Sequence, residues 1–327
     1  MENETPPAMT TPTFSVALAA LDDYSTVQEV HRCLEAQTIR PSLELIVICR
    51  SEARLTLPDG FREDYPDVIL VEAGEQVLLN EAREVGVRRA SAPYVLILED
   101  HCLPFPDCLE HMLSRLEEGW TAVGPAFVSG NTVSRVAIAA NMLTYGQWMG
   151  WKEGGERPFV SGYNSAFPVQ TLLARGNQLK EDLVAPSTLQ MTLAKQGHRF
   201  YFEQRALMAH WESSTYGGVR QILSKNGRGL GMLRARNWSL LQRILASLLN
   251  PLLVGHRVFR AVGTFSRLEE RSFVTLLHLV PLSLIWTFSE LRGYWCGNRH
   301  EVLEGVSDVE RNRQRFVDAT REPIKMP

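Results

Sequence analysis

No two cysteines of this chain stand at a C-x-x-C spacing, and the five present (Cys33, Cys49, Cys102, Cys108 and Cys296) are odd in number. They look like free thiols of a reducing compartment rather than a disulfide framework. Neither sign of charge dominates: 34 Lys and Arg against 37 Asp and Glu give −3 over 327 residues. Global charge therefore gives no argument for a nucleic-acid partner. The opening MENETPPAMTTPT lacks a basic flank followed by an apolar core. No signal peptide is expected, residues 1–13 read as a tail, and the protein is expected on the cytoplasmic side. Acid is also missing locally: none occurs between Arg220 and Trp238, where Arg220, Lys225, Arg228, Arg234 and Arg236 lie.

What is present is a series of short apolar runs alternating with helical patterns. Phe14 to Ala20, Leu43 to Cys49, Val68 to Glu72, Tyr94 to Leu98 and Thr121 to Phe127 are candidate strands. Tyr94 to Leu98 has no polar alternation, the mark of a strand covered on both faces. Between them, Ser25 to Gln28 offers a capping box for a helix carrying Val27, Val30 and Leu34, Asn80 to Ala90 a second helix, and Asp107 to Glu110 the cap of a third. This alternation predicts an α/β fold, a doubly wound, mostly parallel sheet. Beyond Ser129 the pattern expects a helix over Val133 to Tyr145, a loop around Trp148 and Trp151, a helix opened by Glu181-Asp182 and running through Lys195, and strands His198 to Glu203 and Ala206 to His210.

The run APYVLILEDHCLP, Ala92 to Pro104, ends in Glu99, Asp100 and His101. Ligands of open α/β sheets bind at the carboxyl ends of strands. Two carboxylates and an imidazole there suit a divalent cation shared with a phosphate-bearing substrate. On extended backbone, residues 99 and 101 point to one side and 100 to the other. Glu99 and His101 would then grip one ion while Asp100 reaches a sugar or ribose hydroxyl.

The order of these pieces resembles the family 2 glycosyltransferases of GT-A fold. It is carried by β-α-β, the Asn80, Ala82, Arg83, Gly86 helix, the strand ending in acids, the Gly162-x-Asn164 segment, the Glu181-Asp182 pair, the helix closed by Gly197 and the terminal His210. The likeness covers about residues 14–212. It implies a metal site of Glu99, His101 and His210 holding Mg²⁺ or Mn²⁺, with Glu and His in place of the usual aspartates. It further implies donor contacts from Asp22, Arg83 and Asp100, and an acceptor side with Gly162, Asn164 and Trp211. Asp182, with Glu181 beside it, would be the general base of an inverting displacement. The aspartate that many members carry after the second strand is replaced by Cys49-Arg50-Ser51, and the Gln-x-x-Arg-Trp string of processive synthases is absent, so transfer of one sugar is expected. A non-catalytic binding protein of the same shape is the alternative. A nucleotidyltransferase would need a Gly-rich basic loop where Ala20-Leu21-Asp22-Asp23 stands.

Residues 213–297 hold the basic stretch and two apolar segments, Leu240 to Val262 and Phe273 to Ser289, flanked by Arg236, Arg257, Arg267, Arg271 and Arg292. Arginines on every side disfavour a spanning hairpin and favour amphipathic helices in the inner-leaflet interface or a re-entrant pair. A nucleotide-sugar donor and a glycan or lipid-linked acceptor would suit that location. Residues 298–327 form a charged tail in which the sequence marks no site.

Overall fold

The computed structural model describes residues 11–131, 133–265 and 272–315. The first ten residues of the expected tail, the flanking Arg267 and Arg271, and residues 316–327 lie outside the described residues.

Among the described residues nine strands form one sheet: β1 (Phe14–Ala20), β2 (Leu43–Cys49), β3 (Ile69–Glu72), β4 (Tyr94–Leu98), β5 (Cys102–Pro104), β6 (Ala122–Ser129), β7 (Gly155–Arg157), β8 (Ser165–Pro168) and β9 (Phe200–His210). Their spatial order is β3-β2-β1-β4-β8-β6-β9-β5, with β7 paired to β9. The first four are mutually parallel, as the β-α alternation requires. β8 then enters antiparallel between β4 and β6, while β6 and β9 are parallel. The result is the GT-A-like mixed sheet, which brings the carboxyl ends of β4 and β9 to one edge.

Every residue of β1 is buried, because helices cover both faces. Phe14, Val16 and Leu18 face the helices Gln28–Glu35 and Cys108–Glu117, and Ala17 and Ala19 face the helix Leu79–Arg89. That last helix approaches closely at Gly86, where an added Cβ would lie 2.7 Å from the Ala17 Cβ. Phe127, Phe167, Phe200 and Phe202 fill the middle, each burial worth about 2–3 kcal/mol.

Several local expectations are corrected. The capping box at Ser25 is absent: Asp23 caps a 3₁₀ turn over Tyr24–Thr26 by accepting from Ser25 N, and the helix begins at Gln28 with no side-chain cap. Asp107 makes no side-chain cap hydrogen bond either. The two strands expected near residue 203 are one strand, β9, whose register shifts opposite Pro125/Ala126. Glu181 and Asp182 close a separate short helix, Leu179–Asp182, and the next helix starts at Pro186, since proline is favoured in a first turn.

The C-terminal part is helical: Tyr216–Arg234, Leu240–Leu249, Leu252–Phe265, Phe273–Tyr294 and Arg299–Arg311. Asn250-Pro251 splits the first apolar segment in two. Phe273–Tyr294 packs on Tyr216–Arg234 with glycine at the contact: a Cβ on Gly231 would come within 2.0 Å of the Glu290 carbonyl oxygen. Glu290, fully buried, is clasped by Arg234 and Arg257. Arg257 is thus a structural counter-ion rather than a free flank. The charged tail is not bare either: Arg299–Arg311 returns to the sheet and packs on Tyr216–Arg234 and on Leu79–Arg89.

Candidate active site and metal centre

The acidic triplet leaves β4 as a turn, not as extended backbone, with Cys102 N donating to Glu99 O at 3.3 Å. The turn still unites the expected ligands. Glu99 Oε2 stands 3.9 Å from His101 Nε2 and 3.8 Å from His210 Nε2, the latter on the last residue of β9. β5 holds that strand end in place by antiparallel pairing of Cys102 with His210.

Each imidazole is held through its other nitrogen. His101 Nδ1 bonds Asp100 Oδ1 at 2.6 Å, and His210 Nδ1 bonds Asn141 Oδ1 at 2.8 Å. A proton on each Nδ1 satisfies both acceptors and leaves both Nε2 lone pairs for the Glu99 side. Burial, then the charges of His101 and Arg313, hold His210 well below the usual histidine pKa, so it stands as a neutral imidazole.

Glu99 is fixed as firmly. Its backbone N–H donates to Asn164 Oδ1 at 2.9 Å, while Asn164 Nδ2 and Tyr145 Oη donate to Oε2 at 2.7 and 3.0 Å. Asn164 does this from φ +60°, a left-handed conformation that asparagine tolerates better than most residues. Expected on the acceptor side, it is fully buried and both its amide atoms are bonded to Glu99. Gly162 sits in the half-buried bend just before it.

Arg83, expected to contact the donor, lies beside the centre. It is buried, stacks over the Tyr163 ring at 3.7 Å, and puts Nη2 3.9 Å from Glu99 Oε1. Asp100, expected to reach a sugar, is instead the orienting partner of His101, with Arg313 Nε at 3.7 Å from Oδ1. Asp22 follows β1 and accepts from Gln314 N at 2.8 Å; burial raises its pKa and that hydrogen bond opposes the rise. Trp211, expected on the acceptor side, is buried against Gly130. Its indole, 6% exposed, donates to Gly130 O at 2.8 Å and packs so closely that a Cβ on Gly130 would clash with it.

Glu181 and Asp182 are not brought into the cluster. Asp182 accepts from Arg175 Nε at 2.7 Å and Glu181 pairs with Arg299; among the described residues no ion pair or hydrogen bond joins either to Glu99. Sequence reasoning also missed Asn141, Tyr145, Glu310 and Arg313. Asn141 lies near the end of the mostly apolar helix Arg135–Thr144 and Tyr145 is the residue that closes it, four positions on, a spacing that places both on one face. Nothing local distinguishes Glu310 and Arg313 from a solvated tail.

The residues fit a divalent cation. Two metal–ligand bonds of about 2.1 Å span at most about 4.2 Å, and the 3.8 and 3.9 Å separations fall within that. One carboxylate and two neutral imidazoles are an O/N set for Mn²⁺ or a comparable ion. A second group, Asp100, His101 and Glu310, also places its ligand atoms within 4.8 Å of one another.

With this geometry in view, residues 15–172 match the family model described as Glycosyl transferase family 2. The chain carries a family 2 glycosyltransferase domain. Among solved structures, this chain is similar to the mannosyltransferase PcManGT from Pyrobaculum calidifontis in complex with GDP-Man and Mn²⁺. The identity is 18% and the TM-score 0.52, covering 93% of this chain and 88% of that one. It is also similar to a crystal structure of GalNAc-T7 with UDP, GalNAc and Mn²⁺, at 12% identity and a TM-score of 0.47. That match covers 62% of this chain and spans 43% of the other, less than half its length. No curated protein matches the sequence. The glycosyltransferase domain thus includes β4 and the Glu99 turn, while β9 with His210 and all the C-terminal helices lie beyond the matched residues.

Proposed function

We propose that the chain is an inverting glycosyltransferase that moves one sugar from a nucleotide-diphosphate donor to a hydroxyl acceptor at a membrane surface. The observation that carries it is the convergence of Glu99, His101 and His210 at the carboxyl ends of β4 and β9 within a family 2 domain. Glu99, His101 and His210 would hold Mg²⁺ or Mn²⁺, and the ion would supply neutralising charge for a leaving diphosphate. The protein's own part is positional: Asn164 and Tyr145 fix the carboxylate, Asp100 and Asn141 fix the imidazoles, and Arg83 adds a guanidinium beside them. Asp182, with Glu181 beside it, remains the base proposed from family likeness, and its pairing with Arg175 would have to open first.

The membrane surface is supported by an inverted helix. Phe273, Val274, Leu277, Val280, Leu284 and Phe288 are exposed on Phe273–Tyr294, while Thr275, Ser283, Thr287 and Ser289 are buried. Leu279 and Leu282 are buried on the same helix, so one stripe packs inward while a wide apolar face is left outside, where a soluble core helix would carry polar residues. Leu240–Leu249 has no buried residue, and Phe259 is 81% exposed on the next helix. Phe273–Tyr294 is long and apolar enough to cross a bilayer, yet one side of it packs on Tyr216–Arg234, which suits a helix lying at the interface. No acid occurs between Glu212 and Glu269; Lys225, Arg228, Arg234 and Arg257 pair with Asp308, Glu301 and Glu290 from outside that stretch, which leaves Arg220, Arg236 and Arg260 among the positive charges that would complement anionic headgroups on the cytoplasmic leaflet. A lipid-linked or envelope glycan acceptor suits this placement.

The test is incubation of the full chain with Mn²⁺ and a panel of nucleotide sugars, with lipid extracts as acceptor, reading release of nucleoside diphosphate. Release that Glu99→Gln abolishes supports the reading. Donor binding that is indifferent to metal and gives no release would favour a non-catalytic binding protein of the same shape.

A further inference from the structure

We propose that Arg313, delivered by the C-terminal helix, is a ligand for the diphosphate of the donor; the inference rests on the transferase reading above. The helix Arg299–Arg311 is fixed along its length: Arg299 pairs with Glu181, Arg228 Nη1 donates to Glu301 Oε1 at 2.9 Å, Leu79 N donates to Ser307 Oγ at 2.9 Å, and Lys225 Nζ meets Asp308 Oδ2 at 2.6 Å. The chain then turns, and Gln314 N donates to Asp22 Oδ2 at the end of β1. Backbone and helix anchors therefore set where Arg313 stands, not its own side chain.

Arg313 is 4% exposed, and its Nε has no hydrogen-bond partner among the described residues. Asp100 stands 3.7 Å from that Nε and is already bonded to His101, while Glu310, Glu212 and Glu99 add the attraction of their charges. A buried guanidinium whose fork is left incomplete is costly unless an anion completes it. Arg83 repeats the pattern on the other element: it is buried, its Nε is also without a partner, and its contact with Glu99 is long. Two guanidiniums, one from Leu79–Arg89 and one from beyond the family-matched residues, thus stand beside the carboxylates of the metal centre. Planar forks of this kind match phosphate oxygens.

Calorimetric titration of the full chain with UDP and with GDP, each with Mn²⁺, tests the inference against uridine and guanosine as phosphate-free probes. Arg313→Ala should weaken the better diphosphate about 10- to 100-fold and leave its nucleoside unchanged, with Arg313→Lys between. Thermal melting of the two variants separates a ligand role from loss of fold. Unchanged diphosphate affinity in a folded Arg313→Ala protein overturns the inference, and so does tighter binding, which would make the turn an obstruction. A wild-type chain that binds neither diphosphate would bring down the transferase reading itself.

Discussion

Replacing Asn164 by Ala tests how the carboxylate is held. The side chain makes two hydrogen bonds to one residue: Oδ1 accepts from Glu99 N at 2.9 Å, and Nδ2 donates to Glu99 Oε2 at 2.7 Å. The first is a neutral bond worth about 0.5–1.5 kcal/mol, the second charge-assisted and worth about 1.5–3 kcal/mol. Ala at φ +60° adds about 1 kcal/mol of backbone strain. Because the three contributions share one site they do not add fully, and about 3 kcal/mol of lost stability is expected. Gly at 164 removes both bonds but not the permitted backbone, so Asn164→Gly should be about 1 kcal/mol less damaging than Asn164→Ala. Urea unfolding of the three proteins gives both differences. A loss below about 1 kcal/mol for Asn164→Ala would refute the claim that these bonds fix Glu99.

Other elements give independent tests. Glu203 is pushed up by burial but pulled down further, to about 2, by hydrogen bonds from Arg205 and Arg115. Its folded pKa is thus below the usual 4.5, so its contribution is complete above that pH and fades as pH falls toward 2. Unfolding free energies between pH 6 and 2 should fall less steeply for Glu203→Gln than for the parent. Gly231→Ala drives a Cβ into the Glu290 backbone and should cost about 3 kcal/mol or more, whereas Gly305→Ala, with nothing within 4 Å, should be neutral or stabilising. Replacing Leu248, Phe259 and Phe273 by Ser should lower binding to anionic vesicles by about 100-fold or more, without lowering the melting temperature in buffer, since all three are over 70% exposed.

Much of the first half was legible in residue order. β1 and β2 close within two residues of the polar Asp22 and Arg50, because a strand buried on both faces is built from a mostly apolar run and polar residues stop it. The metal ligands were legible in part for a different reason. The alternation argument joined Glu99 to His101, yet a turn does so in the structure, and His210 arrives from a strand more than a hundred residues later. The roles of Asn164, Asp100 and Trp211 were not legible, since each depends on which neighbour fills its space: Glu99, His101 and Gly130. The C-terminal helix was invisible for the same reason. Its buried arginines, Arg311 and Arg313, look in sequence like any charged tail, and only the return of the chain over Leu79 and Asp22 takes them out of water.

The central claim is that Glu99, His101 and His210 form one metal site for donor diphosphate. Anomalous diffraction from crystals soaked with Mn²⁺ and a nucleoside diphosphate addresses it most directly. The account predicts a single strong peak about 2.0–2.3 Å from Glu99 Oε2 and from both Nε2 atoms, shared with phosphate oxygens and lost in Glu99→Gln. Diphosphate bound with no peak there, or with the peak elsewhere, would contradict it.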